Sequence, residues 1–319
     1  MRQRGKHPHR RVQPGTIVAL LSLSLLWAAG PLRSELLPEQ LAAALPRLAT
    51  QALPLALLAL VSAVFSWRPR AHWPRGRRLR SAIWIGLGLF TVPAVLVNAS
   101  AGWVSGLARA ALLTLVPVFS IVLEPYFDNS AARPIRGALP AALVAVLGAL
   151  LVFPAPNPAS IQTASALAAV ILAAGCIAAA NCYAVAVFRN FENPSAAPIT
   201  AVAASVGALS LGIASLFLER SAPQPAAIAP ELLWAAAIEL PALLLLFWLM
   251  RRLSAVQMST RFVLGPLLVV PLGALLIQST LVPRTWLGLL AMTAGAAYLL
   301  FAPDATEEPP TLLGGAPKA

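Results

Sequence analysis

The sequence predicts an all-α integral membrane protein with ten transmembrane helices, arranged as two inverted repeats of five. Three observations lead to this fold class. Of the 319 residues, 59% are hydrophobic and 11% are charged, whereas a soluble domain carries about 25% charged residues. The apolar residues gather into ten runs, most of them long enough to cross a bilayer core of about 30 Å. Landmarks of the fourth run return in the ninth, which indicates an internal duplication.

The ten runs alternate with short polar connectors. They cover residues 16–32, 43–65, 81–98, 102–123, 135–153, 161–188, 198–218, 231–250, 256–279 and 285–302. Pro54 interrupts the second run, and the sixth is long enough to tilt or to extend past the lipid. The predicted organisation is a basic N-terminal segment (1–15), a first five-helix repeat (16–153), a second, inverted repeat (161–302) and a disordered tail (303–319).

The fourth and ninth runs share an arginine near the start and a proline seven residues before a terminal Glu or Gln. These landmarks are Arg109, Pro117 and Glu124 in the fourth run, and Arg261, Pro271 and Gln278 in the ninth. Gly102 and Gly106 open the fourth run, and small residues at this spacing predict close approach by a neighbouring helix. Because five is an odd number, a duplicated second half must cross the membrane in the opposite sense to the first.

The basic residues predict the orientation. With alternating connectors, 17 of the 23 Lys and Arg residues lie on the N-terminal side of the membrane and four on the other. Positive charge favours cytoplasmic loops, so we predict a multi-pass protein of the cell inner membrane with both termini in the cytoplasm. Since the basic clusters lie between apolar runs, the net charge of +12 indicates a lipid bilayer partner and no nucleic acid.

Few residues offer metal or cofactor chemistry. Cys176 and Cys182 lie in one apolar run and face different sides of a helix, and all three histidines lie in basic, polar segments. Such positions favour neither a disulfide between the cysteines nor a metal site. The sequence also lacks a GxxxxGK[ST] loop. We therefore expect no metal, no cofactor and no ATP-driven step in this chain.

Two arginines lie inside apolar runs. Arg109 is about 10 Å into its helix from the outer end, and Arg261 is a few residues from the cytoplasmic connector. Either guanidinium can bind an anionic group through its planar fork of donors. Either can instead extend its long stem to the membrane surface. Both interpretations are compatible with the sequence.

Glu239 is the carboxylate that lies deepest in an apolar run. It is eight residues into the eighth run, near the predicted midplane, and its side chain is too short to reach the interface. We expect it to carry a proton or to bind a substrate amine. The structural alternative is a protonated carboxyl that bonds a neighbouring helix. Pro241 follows it and removes a backbone donor, which can loosen the helix there.

Four lesser candidates complete the polar and aromatic set. Asn98 and Asn181 can bind substrate or form hydrogen bonds between helices. Trp27 can contact substrate or serve apolar packing. Glu124 is expected to cap the end of its own helix near Arg133 or Arg136, in a structural or gating role. The same role is assigned to Pro117, Pro271 and Gln278.

Four segments carry a family resemblance. They are LLWAAG (Leu25–Gly30), ALLTLVPVFSIVLE (Ala111–Glu124), GPLLVVPLGALLIQ (Gly265–Gln278) and WLGLLAMTAGAAYLLF (Trp286–Phe301), the last with Gly288 and Gly295 seven residues apart. With these segments the chain resembles the drug/metabolite transporter superfamily, in particular its ten-helix members built from two EamA-type repeats. The resemblance covers roughly residues 16–302. It departs at Gln278, where the family's second repeat has a glutamate.

The resemblance implies a secondary transporter that exports small metabolites, such as amino acids or their analogues, with uptake in some branches. The expected partner is a small anionic or zwitterionic molecule, with the proton as a candidate coupling ion and a homo-oligomer as a candidate assembly. Two other classes stay open: a membrane-embedded enzyme acting on a lipid or isoprenoid carrier, and a non-transporting scaffold or sensor. An enzyme would need His, Asp or Glu clustered at one membrane surface, and the connectors supply none, so we expect no enzyme.

Overall fold

The computed structural model describes residues 13–36, 47–67, 73–127, 135–153, 158, 160–189, 196–219, 225–277 and 281–301. Within these ranges the chain forms ten helices and no strand, and each predicted apolar run falls on one helix. The helices are α1 (Pro14–Leu36), α2 (Arg47–Ser66), α3 (Arg77–Gly86, Leu87–Thr91 and Val92–Ala99), α4 (Gly106–Leu113 and Val116–Phe127), α5 (Ile135–Val152), α6 (Ile161–Arg189), α7 (Ala196–Leu218), α8 (Pro225–Trp234, Ala235–Glu239 and Leu240–Leu249), α9 (Ala255–Ser259 and Arg261–Ile277) and α10 (Pro283–Phe301).

Eight of the described helices are long and apolar enough to cross a membrane: α2, α3, α4 and α6 to α10. The other two, α1 and α5, contribute shorter apolar stretches, Pro14–Gly30 and Gly137–Val152. A helix suits these sequences because it bonds every backbone N–H and C=O group within one segment, as lipid requires. The predicted class, an all-α multi-pass membrane protein, is confirmed for the described part of the chain.

The broadest helix contacts join the first five helices to the last five. The helix α2 packs along α7, and α5 packs along α10. In the same way α1 contacts α8 and α9, while α3 and α4 contact α6. The largest fully buried side chains, among them Leu58, Ile85, Phe188 and Leu246, lie in this shared interior. The two halves therefore share one core and do not form separate lobes.

Glycines bring α5 and α10 close together. A Cβ added to Gly288 would lie 2.6 Å from the Gly148 carbonyl oxygen, and one added to Gly148 would lie 2.6 Å from the Gly288 carbonyl oxygen. A Cβ on Gly295 would lie 2.5 Å from the Ala141 carbonyl oxygen. These distances are too short for any side chain, so the close approach of the two backbones requires glycine at these positions.

The predicted close approach at Gly102 and Gly106 is wrong. Gly102 lies in the turn before α4, and Gly106 is the first residue of that helix. A Cβ on Gly102 would meet nothing within 4 Å, and one on Gly106 would meet only Arg109 of its own helix, at 3.8 Å. Because the helix begins after the first glycine, the pair cannot form one helical face.

The helices α3 and α8 are interrupted in the same way. Each contains a five-residue π-helical segment, Leu87–Thr91 in α3 and Ala235–Glu239 in α8. Proline is the second residue of the α-helix that follows, at Pro93 and at Pro241. A proline lacks the N–H donor and crowds the carbonyl four residues earlier, which here lies inside each π segment. The prolines thus explain why both helices widen at these points.

The turns that follow α3 and α8 are also alike. Ser105 caps α4 by accepting a hydrogen bond from the Ala108 N–H at 3.3 Å, and Ser254 caps α9 by accepting one from the Gln257 N–H at 3.1 Å. In return, the Gln257 side-chain oxygen accepts a hydrogen bond from the Ser254 N–H, which completes a capping box. Each of the two turns also contains two backbone hydrogen bonds, and these lie at the same positions relative to the capping serine. The same local structure is therefore built twice.

Candidate functional site

A cavity of about 380 Å³ lies between the two halves of the bundle. Its walls come from α1, α2 and α3 of the first half and from α6 to α9 of the second. Most lining side chains are apolar, and the polar ones are Gln51, Glu239 and Arg261. A mostly apolar cavity of this size with a few polar groups is typical of a small-molecule site.

The cavity runs from one end of the bundle past its middle. Gln51 lies near the start of α2 and Val97 near the end of α3, so both mark the end of the bundle where α3 meets α4. Arg261 lies near the start of α9, which contacts the far end of α4 through Glu124. The arginine therefore forms the floor of the cavity, opposite the end marked by Gln51 and Val97.

Arg261 is a buried cation in this floor. Its side chain is 2% exposed. Its Nη2 donates to the Asn181 Oδ1 at 3.1 Å, and its Nη1 donates to the Met258 carbonyl at 3.4 Å. The guanidinium carbon lies 5.0 Å from the centre of the Trp27 ring and 4.7 Å from that of Phe262. The side chain is held inside the bundle and does not extend to the surface.

Donors outnumber acceptors around Arg261. The Nε of Arg261 and the Nδ2 of Asn181 are buried and have no hydrogen-bond partner among the described residues. Within the same part of the chain, no carboxylate forms a salt bridge with Arg261. The two acceptors of the guanidinium among the described residues, an amide oxygen and a backbone carbonyl, are both neutral. An anion at this place would gain charge-assisted hydrogen bonds.

Trp27 connects α1 to this cluster. The ring is half-buried, lines the cavity and lies 6.4 Å from the Phe262 ring, at an interplanar angle of 44°. An aromatic face attracts a cation through its quadrupole, and the attraction grows where water is excluded. Trp27 therefore stabilises the charge of Arg261 from the opposite half of the molecule.

Glu239 contributes the acidic group of the cavity. It is the last residue of the π segment in α8 and is half-buried. The wider π turn places this carboxylate on the cavity side, while the next α-helical turn presents Leu243 and Leu246 to the same space. Among its described lining residues the cavity thus carries one carboxylate and one guanidinium, on different helices.

Gln51 is a lining residue that the sequence analysis missed. It is exposed on α2, four residues from the start of the helix. A single amide so close to a predicted membrane interface resembles an ordinary boundary residue. The signal that could have identified it is Pro54, which also lines the cavity and lies one turn further along the same helix.

The structure places Arg109 and Asn98 outside the cavity lining. Arg109 is half-buried, and its Nη1 donates to the Val97 carbonyl at 3.0 Å, at the end of α3. Ser100 Oγ donates to the same carbonyl at 2.7 Å. A cation beside the last carbonyls of a helix complements the helix dipole. The backbone carbonyl of Asn98 accepts from the Ala101 N–H in the turn that follows.

Glu124 links the two halves at the floor of the bundle. It is 4% exposed, and its Oε1 accepts a hydrogen bond from the Ala255 N–H at 3.0 Å. Ala255 is the first residue of α9, so the carboxylate satisfies a free donor at the start of a helix from the other half. Of its expected partners, Arg133 lies outside the described residues, and the side chain of Arg136 is not described.

The other gating candidates are prolines inside helices and one residue beyond them. Pro117 is buried near the start of the second part of α4. Pro271 is half-buried within α9. Gln278 lies outside the described residues. Neither proline lines the cavity.

The chain matches no protein-family model and no curated protein. It is similar to a solved structure described as "Crystal structure of protein", with a TM-score of 0.68 and 15% sequence identity. The alignment covers 90% of this chain and 98% of that one. At this identity the likeness shows the fold alone, so the helical arrangement described above is one that a solved protein also adopts over nearly its whole length.

Proposed function

We propose that the chain is a secondary transporter of small metabolites, a ten-helix protein of two inverted EamA-type repeats that works by alternating access. The observation that carries the proposal is the cavity between the halves, which has apolar walls, a buried arginine and a glutamate. Secondary transporters bind substrate near the midplane at the interface of their repeats, next to interrupted helices. The cavity of this chain lies against both π-interrupted helices, α3 and α8.

The pairing of helices supports an inverted repeat. If α1 to α5 correspond to α6 to α10, then the contact of α1 with α9 corresponds to that of α6 with α4, and both occur. The contacts of α3 with α6 and of α8 with α1 also correspond, as do those of α3 with α7 and of α8 with α2. The α2–α7 and α5–α10 pairs map onto themselves. A two-fold relation between the halves accounts for all of these contacts.

Closure at one end supports alternating access. The cavity reaches from the α3–α4 end to Arg261, and beyond this floor Glu124 bonds the start of α9. Near the same end the Ser81 and Tyr183 hydroxyls are hydrogen-bonded at 2.7 Å and join α3 to α6. Opening this end while closing the other would expose the same cavity to the opposite side of the membrane.

Flux through the purified protein tests the transport proposal. Proteoliposomes loaded with a labelled small metabolite should lose label faster than vesicles that contain no protein. The unlabelled compound on the outside should accelerate the loss of label by exchange. A carrier saturates with substrate, which separates it from a leak. Absence of saturable flux for every compound, across both pH and voltage gradients, would contradict the proposal.

Reporter fusions test the orientation separately. A reporter that is active only outside the cytoplasm should be silent at Arg77 and active at Glu39, because the basic connector that contains Arg77 is proposed to be cytoplasmic. The opposite pattern would reverse the topology and leave the transport proposal standing.

A further inference from the structure

We propose that the floor of the cavity binds an anionic group on Arg261, and that the transported class is small organic monocarboxylates with an apolar or aromatic body. This inference rests on the proposed transport function and names its substrate class. It concerns one subsite, formed by Arg261 and the rings of Trp27 and Phe262, with Asn181 bonded to the arginine but not itself lining the cavity.

The first argument is the charge of the floor. A guanidinium that is 2% exposed has lost nearly all of its hydration and is favourable only where other groups compensate the charge. Asn181 and the Met258 carbonyl are dipoles and not counter-ions. No described carboxylate forms a salt bridge with Arg261. A ligand anion supplies the missing charge.

The second argument is the surplus of donors. Arg261 Nε and Asn181 Nδ2 are buried N–H groups without a described acceptor, and such groups are rare in proteins because each loses a hydrogen bond to water. The two residues are joined to each other through Nη2 and Oδ1. A carboxylate offers two oxygens that can accept from neighbouring donors at once, and a planar guanidinium fits that geometry better than an ammonium.

The third argument is the wall above the floor. Leu89, Phe90, Leu243, Leu246 and Phe262 surround the remaining space, and the cavity volume is about 380 Å³. Apolar walls favour a hydrocarbon or aromatic body through burial of its surface. Glu239 lies in the same space and disfavours a second negative charge on the ligand. The site therefore suits one carboxylate at one end of a compact apolar molecule.

Binding by the purified full-length protein tests this inference with four aromatic probes. Benzoate is the anion, benzamide its neutral analogue, benzylamine the cation and phthalate the dianion. Equilibrium dialysis should give a benzoate affinity at least tenfold above that of the other three. Loss of a charged hydrogen bond lowers affinity by about ten- to a hundredfold. Arg261→Gln should therefore lower the affinity for benzoate by that factor and change the affinity for benzamide by less than twofold. Arg261→Lys should weaken benzoate less than Arg261→Gln does.

A matched control and a second variant guard against loss of folding. Arg252→Gln removes an exposed arginine that lies over Trp248, at 4.2 Å, and does not line the cavity, so benzoate binding should be unchanged. Asn181→Asp keeps the shape of the side chain and places a carboxylate beside Arg261. It should raise the melting temperature and weaken benzoate at least tenfold, because the arginine then has an internal counter-ion.

The outcomes separate the inference from the transport function. Equal binding of benzoate and benzamide, or unchanged benzoate binding in Arg261→Gln and Asn181→Asp, would overturn the anion subsite while saturable flux of other compounds would still support a carrier. Chloride that displaces benzoate fully at equal concentration, with no benzoate flux, would show an inorganic anion site and would also overturn the inference. Saturable benzoate flux that is lost in Asn181→Asp supports it.

Discussion

The first half of the bundle, up to residue 153, and the second half, from residue 160, share local features and differ in chemistry. The π segments of α3 and α8 end at Thr91 and Glu239, each two residues before a proline. Thr91 is buried, and its hydroxyl is bonded to that of Ser210 at 2.6 Å, which ties α3 to α7. Glu239 instead lines the cavity. The same break in a helix thus serves packing in one half and presents a carboxylate in the other.

The two arginines differ by their distance from the start of the helix. Arg109 lies four residues after the cap Ser105, and Arg261 lies seven residues after the cap Ser254. Three residues move a side chain about 4.5 Å deeper and turn it by about 300° around the helix. Arg109 consequently reaches the end of α3, and Arg261 reaches the cavity. Position relative to the cap, more than the residue type, decides the role.

The largest expected difference between the halves concerns Glu239 and Thr91. Glu239→Gln keeps the size of the side chain and fixes its charge at zero, so flux driven by a pH gradient should be abolished while expression persists. Thr91→Val at the matching position should leave flux intact and lower the free energy of unfolding by about 1 kcal/mol, through loss of a hydrogen bond. Flux assays across a pH gradient compare the two variants. Full activity in Glu239→Gln would contradict proton coupling through this residue.

The glycines give the next largest contrast. Gly288→Val forces a side chain against the Gly148 carbonyl and the Val152 side chain, and overpacking of this kind costs about 1–3 kcal/mol or more. Gly102→Val meets no neighbour within 4 Å and should be nearly neutral. Thermal unfolding in detergent measures both. Equal melting temperatures would mean that α5 and α10 separate easily.

Glu124→Gln tests the tie between the halves. Gln278 stands at the corresponding point of the ninth apolar run, so the variant gives both runs the same terminal residue. Loss of a carboxylate at a helix N-terminus costs up to about 2 kcal/mol in a partly buried setting, which would favour opening at the floor by up to about thirtyfold. Hydrogen–deuterium exchange of the backbone amides at the start of α9 reports that opening. Unchanged exchange would assign Glu124 to folding alone.

Arg109→Met should have the smallest effect. The variant removes a cation from the end of α3 and leaves the cavity lining intact, so the free energy of unfolding should fall by about 0.3–1 kcal/mol. Substrate affinity should stay within twofold of the wild type, and Arg261→Met is the matched comparison. A tenfold loss of affinity in Arg109→Met would return this arginine to the binding site.

The sequence predicts the helices well because length and apolarity alone decide what lipid accepts. Each apolar run overlaps one described helix, and Glu239 and Arg261 were identified from their charge within such runs. Trp27 was instead a candidate because it lies in a segment that carries the family resemblance. Contacts across the bundle were less accessible. The hydrogen bond from the Ala255 N–H to the Glu124 carboxylate joins residues 131 positions apart, and no local sequence pattern predicts that pairing.

Helix starts were the other weak point. The spacing of Gly102 and Gly106 suggested one helical face, but Ser105 caps the helix between them. Ser105 is a residue type that commonly caps helices, but because apolar residues lie on both sides of it, the sequence predicts one continuous apolar run there. Likewise Gln51 could not be placed in the cavity without knowing that α2 faces α3 and α8 near its start.

A π turn holds one residue more than the α-helical turns around it, so the break in α8 is equivalent to a single-residue insertion. Deleting one residue within Ala235–Glu239 would restore a regular helix and rotate the two parts of α8 relative to each other by about 100°. Glu239 and Leu246 would then no longer keep their present relation to the helix segment before them. In this protein the direction in which the carboxylate points depends on a residue count, so a change of length alone could retune the cavity without altering any side chain that lines it.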